Sequence, residues 1–129
     1  MPLVDDDLEH LTAAQGYATL GMFLDANDEL EKIDPDVRHV PEVLELRVEI
    51  YGGLKKWELM QTVAKKLTEY DAEEPTWPLA WAFATRRAES IEAAKTILMG
   101  AWHLHQKSAL ISFNLALDDE DLRPLWDSL

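Results

Sequence analysis

Sliding the chain along itself by 34 residues brings three stretches into register, and few architectures are compatible with such a repeat. Gly21-Met22-Phe23-Leu24-Asp25-Ala26, with Leu30 and Ile33 beyond it, falls on Lys55-Lys56-Trp57-Glu58-Leu59-Met60 with Ala64 and Leu67. That stretch falls in turn on Glu89-Ser90-Ile91-Glu92-Ala93-Ala94 with Leu98 and Ala101. Each copy has a large apolar residue, a mostly small one three positions later, and apolar residues four and three further on. The spacing marks one face of a helix. A unit this short cannot bury that face alone, so the period predicts a stack of helical hairpins, each packed on its neighbour.

The half of each unit that precedes this stretch repeats as well. Ala14, Val48, Ala82 and Ala116 share one register, and Tyr17 and Tyr51 share another three residues later. A small residue where a first helix crosses a second closely, with a tyrosine one turn along, is the pattern of a tetratricopeptide repeat. From about Leu8 to Ala116 the chain resembles that family. The resemblance implies an all-α fold, a right-handed superhelix of antiparallel helix pairs. This α-solenoid would comprise about three repeats, at residues 7–40, 41–74 and 75–108, followed by a partial fourth repeat and a C-terminal capping segment at 109–129. The chain also departs from the family pattern. His10, Leu44 and Pro78 stand where an early tryptophan belongs, the tyrosine register passes to Thr85 and Asp119, and the glycine between paired helices is present only as Gly21.

Composition narrows the function classes. A chain of 129 residues makes one domain, long enough for a continuous core and short for a large catalytic cleft. Its hydrophobic share of 47% sets it apart from a disordered acidic tail, despite a net charge of -13. The absence of cysteine excludes disulfide frameworks and thiolate metal sites. Met1 to Asp7 has neither the basic region nor the apolar core of a signal peptide, and no apolar run reaches bilayer-spanning length. The expectation is a soluble, cytoplasmic protein.

Punctuation sets the helix boundaries. Asp5 to Asp7 can cap a first helix running from about Asp7 to Leu20, and Gly21 breaks it. A second helix runs from Met22 to Ile33 and ends at Asp34-Pro35. A third starts near Pro41, carries Leu44, Val48 and Tyr51 inward and stops before Gly52-Gly53, which reads as a hairpin turn. Trp57 to Tyr70 makes a fourth, and Trp77-Pro78 opens a fifth that ends around Ala88. Ser90-Ile91-Glu92-Ala93 reads as the N-cap of a sixth reaching about His103, and a seventh spans about Lys107 to Leu117. No segment alternates as a strand would.

After Leu110 to Ala116 begins a fourth unit, Asp118-Asp119-Glu120-Asp121 stands where its tyrosine and second helix belong. Two readings stay open. Leu122, Leu125 and Trp126 can cover the end of the stack, or the incomplete unit can be completed by another copy of the chain, through dimerisation or swapping.

The resemblance places function on the concave surface lined by the first helix of each pair. Residues expected to point away from the second helices are Leu11 and Gln15, then Glu42, Glu45 and Glu49, then Leu79, Phe83, Arg86 and Arg87, then Phe113, Asn114 and Leu117. Glu42, Glu45 and Glu49 fall at spacings that form one acidic stripe, or equally a solvated face. Phe83 supplies an apolar anchor, and Arg86 a turn further on can hold a carboxylate. That combination suits a peptide or protein segment with basic and apolar groups. The lysine, asparagine and arginine clamp that some such repeats use for chaperone tails is absent, its registers holding Leu11, Gln15, Leu46, Thr76 and Ala80.

The catalytic readings are weaker. His103 and His105 lie on different sides of a helix and have no cysteine or carboxylate pair near them in sequence to complete a zinc site. Asp118 to Asp121 lacks the glycine and glutamate of a calcium loop, Gly52-Gly53 lacks the lysine of a phosphate loop, and no serine sits in a nucleophile elbow. An acidic helical enzyme or hydrolase subunit built on paired acids such as Glu42 with Glu45, or Asp71 with Glu73 and Glu74, is the alternative class. No cofactor or metal is implied. The charge disfavours nucleic acid and favours a basic protein partner, a homodimer being the further possibility.

Overall fold

In the computed structural model, which describes residues 3–104, six α-helices follow one another with no strand among the described residues. They are α1 (Asp5–Thr19), α2 (Phe23–Leu30), α3 (Pro41–Gly53), α4 (Trp57–Tyr70), α5 (Thr76–Ala88) and α6 (Ile91–Leu104), with a 3-10 turn at Pro35–Val37 between α2 and α3. Each helix packs on the next in the chain, and α1 also touches α3. The expected seventh helix, the acidic run and the apolar tail lie outside the described residues.

α2, α4 and α6 begin at Phe23, Trp57 and Ile91, spaced by the 34-residue period. One turn explains this. Met22 N–H donates to Tyr17 O at 2.8 Å, Lys56 N–H to Tyr51 O at 2.9 Å and Ser90 N–H to Thr85 O at 3.2 Å. In the first two junctions Gly21 N–H also donates to Ala18 O and Lys55 N–H to Gly52 O, which completes the paired hydrogen bonds of a Schellman C-cap. That cap needs a left-handed residue. Gly21 has φ 75°, and at the same register Lys55 adopts φ 58° without being glycine. At the third junction Glu89 has φ -127° and its N–H goes to Thr85 O instead. Ser90 then caps α6, its Oγ accepting Ala93 N–H at 3.1 Å, as expected from the sequence.

Several boundaries differ from expectation for local reasons. α1 starts at Asp5 because Asp7 does not cap it. Asp7 is buried, and its Oδ1 accepts Asp34 N–H at 3.1 Å, tying α1 to the turn after α2. α2 ends at Leu30 because Lys32 and Ile33 tighten into bonds to Glu29 O and Leu30 O, three residues back. Gly52 and Gly53 form the last turn of α3 rather than a loop. A Cβ on Gly53 would lie 2.3 Å from the Phe23 ring, so glycine is what lets α2 approach there.

The core follows the registers. Ala14 with Ala26, Leu30 and Ile33, Val48 with Met60, Ala64 and Leu67, and Ala82 with Ala94 and Leu98 each belong to one buried cluster. Burying each large member, such as Leu30, Ile33, Leu67 or Leu98, contributes roughly 1.5–3 kcal/mol, more than a single turn hydrogen bond. A polar network joins α2 to α3. Arg47, buried on α3, donates to Glu31 Oε1 at 2.9 Å, Tyr51 Oη at 3.0 Å and Asn27 Oδ1 at 3.3 Å, while Arg38 holds the other Glu31 oxygen at 2.7 Å. Arg47 first, then Arg38, holds the Glu31 carboxyl below its ordinary range.

Lys55 is the place where local conformation and residue type disagree. A non-glycine residue in the left-handed region costs about 1–2 kcal/mol. Lys55→Gly is therefore expected to stabilise the protein by about 1 kcal/mol, read as a higher urea midpoint with unchanged slope. A lower midpoint would contradict the assignment of this cap.

Candidate functional site

The exposed side chains of α1, α3 and α5 form the candidate surface. Gln15, Glu49 and Phe83 occupy one register on these successive helices, and all three are exposed. Glu42 and Glu45 are exposed on α3, and Arg86 and Arg87 are exposed at the end of α5. Leu11 does not join them. It is buried with Ala14, Ala26 and Leu30, because the register that carries Glu45 in the next unit points partly inward. Leu79, also in that register, is half-buried against Ala82, Ala94 and Leu98. Phe113, Asn114 and Leu117 lie outside the described residues.

The acidic stripe is wider than the sequence spacing showed. Partial burial, and then the charges of Glu42, Asp71 and Glu74, push the Glu45 carboxyl above its ordinary range. Asp71 and Glu74 come from the connection between α4 and α5, so packing of consecutive helices brings a second acidic segment to α3. Glu74 Oε1 accepts from both Thr76 N–H and Thr76 Oγ1, which fixes this segment to the start of α5. Glu42, Glu45 and Glu49 form no ion pair among the described residues.

Phe83 stands among aromatic and cationic groups. Its ring meets Trp57 edge-on, with centroids 5.8 Å apart, and the Arg87 guanidinium lies 3.5 Å from the Phe83 centroid and 5.2 Å from that of Trp57. Arg87 also donates to Phe83 O at 3.1 Å, so it closes the C-terminal end of α5. Phe83 and Arg87, both expected to point away from the second helices, instead lean on Trp57 of α4. The sequence signal was present: Trp57 shares its register with Phe23, the ring that packs on Gly53, and Gly53 shares its register with Arg87. A surface groove of about 470 Å³ runs beside this cluster past Lys55, Lys56 and Leu59.

His10 is held in a polar contact between α1 and α2. His10 Nδ1 lies 2.9 Å from Glu29 Oε2, and Lys32 takes the other oxygen at 2.7 Å. Lys32 first, then His10, holds the Glu29 carboxyl below its ordinary range. Among the described residues no group of three His, Asp or Glu side chains could hold a metal ion, and no helix is long and apolar enough to cross a membrane. Comparison of the chain with protein-family models, with curated proteins and with solved structures gives no match.

The raised Glu45 fixes a sign. An acid whose pKa is higher in the folded than in the unfolded chain opposes folding once ionised, and the penalty disappears as pH falls through its folded pKa. Glu45→Gln should stabilise the fold at pH 7 by under ~1 kcal/mol, because solvent screens the charge, read as a higher Tm, and the gain should vanish on acidification below the carboxylate range. An equal gain at every pH would remove charge as its cause.

Proposed function

We propose that this protein is a tetratricopeptide-type helical scaffold that binds a basic, apolar-bearing segment of another protein. The fold part of the reading is supported by the turn that recurs at Tyr17–Met22, Tyr51–Lys56 and Thr85–Ser90, and by the packing of each described helix on the next in the chain. About three such units would form a right-handed superhelix, with the first helices on its concave side.

The observation that carries the binding reading is the acidic stripe of Glu42, Glu45 and Glu49, which form no ion pair among the described residues. Glu42, Glu45 and Glu49 stand with Asp71 and Glu74 close enough to raise the Glu45 pKa, so a lysine or arginine from a partner would relieve a repulsion already present. Phe83, 45% exposed beside Trp57, offers the apolar contact in the same register as Glu49, one unit later. The overall charge of -13 would steer such a partner toward the surface.

Self-association is favoured by one separate observation. α6 is the most apolar of the described helices, and Ile91 and Met99 on it are 43% and 42% exposed. They share registers with Trp57 and Lys65, which meet Phe83 and Trp81 of α5. A second copy would give α6 what α5 gives α4.

Titration with a synthetic amphipathic peptide of lysines and leucines separates these readings. The scaffold reading expects saturable NMR shifts at Gln15, Glu49 and Phe83, weaker at high salt, with affinity reduced about tenfold in the Glu42→Gln, Glu45→Gln, Glu49→Gln triple variant. Unchanged affinity in that variant would overturn it. Light scattering of the peptide-free protein that gives twice the 14.7 kDa chain mass would favour self-association.

A further inference from the structure

On the side of α5 bounded by α4 and α6, a cavity of about 630 Å³ opens between Gln61 and Lys65 of α4, Trp81 and Thr85 of α5, and Glu89 and Ile97. A second recess of about 320 Å³, also lined by Trp81 and Ile97, adjoins it and runs past Pro78. Neither is part of the surface formed by Gln15, Glu49 and Phe83.

The repeat shows what normally stands there. One unit earlier, the registers of Gln61, Lys65, Trp81 and Thr85 are held by Asn27, Glu31, Arg47 and Tyr51. Those four side chains close on one another: the Arg47 guanidinium reaches Asn27, Glu31 and the Tyr51 hydroxyl. In the later unit the guanidinium becomes the Trp81 indole and the phenol becomes the short side chain of Thr85. Lys65 lies over the Trp81 ring at 5.9 Å, and Gln61 hydrogen-bonds Glu89 across the rim. What the earlier unit fills with the Tyr51 phenol is open here.

The floor of the cavity carries an unusual group. Thr85 is 1% exposed, and its Oγ1 has no hydrogen-bond partner among the described residues. A buried hydroxyl without a partner is rare and unfavourable unless something outside the chain completes it. A planar indole wall, an apolar recess and a few convergent polar groups are also the usual make-up of a small-ligand site of this volume.

We infer that the α4–α5–α6 cavity binds an aromatic ligand of the phenol class, a free phenolic compound or the tyrosine side chain of a polypeptide. The ring lies against Trp81 and Ile97 in place of the absent repeat tyrosine. Gln61 and Glu89 meet the phenolic hydroxyl, and Thr85 Oγ1 bonds a polar group at the other end of the ligand.

The test uses the whole chain, 4-methylphenol and N-acetyl-tyrosine amide, with the indole N–H signals of the tryptophans followed by NMR. Ligands this small are expected to saturate with Kd of about 1 mM, shifting the Trp81 signal while Trp57 stays in place. Saturation by 4-methylphenol assigns the site to free phenols, and saturation by the tyrosine amide alone assigns it to polypeptide tyrosine. Thr85→Tyr, which restores the repeat residue, should abolish the effect. Thr85→Val, which keeps the shape and removes only the hydroxyl, should fold at least as stably and weaken tyrosine-amide binding about fivefold. Linear shifts without saturation for both compounds, equal shifts at all tryptophans, or full affinity in Thr85→Val would each overturn the inference.

Discussion

Everything in this fold is timed by one hydrogen bond, from the amide five residues on to the carbonyl of Tyr17, Tyr51 or Thr85. It ends each first helix and starts each second one at the same count. The small residues Ala14, Val48 and Ala82 therefore join the same buried clusters as Ala26, Met60 and Ala94. A slip of one residue at this turn would rotate the following helix by about 100° and carry Leu30, Ala64 or Leu98 out of the core. The apolar clusters supply most of the free energy, and the turn decides which residues can collect it. The three junctions are not equal, however. Two have the full pair of cap bonds around a left-handed residue, and the third keeps only the longer bond and adds the Ser90 cap.

Departures from the repeat are where chemistry accumulates. Arg47 fills the space beside Tyr51 and locks α2 to α3, whereas Trp81 and Thr85 leave the corresponding space open. Gly53 admits the Phe23 ring, whereas Arg87 in the same register stacks on Trp57 and Phe83. Glu45 replaces a buried Leu11 and meets the acids of the next connection. The three junctions thus share the bond that spans five residues and are flanked by different side chains.

Much of the helical organisation was legible in the sequence because it depends on local signals. The apolar spacing after Met22, Lys56 and Ser90 and the cap at Ser90 are each decided within a few residues. The side-chain placements were less legible because they depend on contacts between units. Nothing near Asp7 shows that it will accept from Asp34, and nothing near Lys55 shows that a lysine will take the glycine conformation. The acidic stripe on α3 was visible as a spacing, but its extension to Asp71 and Glu74 appears only once α4 and α5 have packed.

The same five-residue bond holds the amides of Met22, Lys56 and Ser90, and native-state hydrogen exchange reads all three. The amides of Met22, Lys56 and Ser90 should all be protected, well above the first-turn amides of α2 and α4, which have no acceptor within their own helix and no side-chain cap. Exchange of any one of the three at the rate of those first-turn amides would contradict the account.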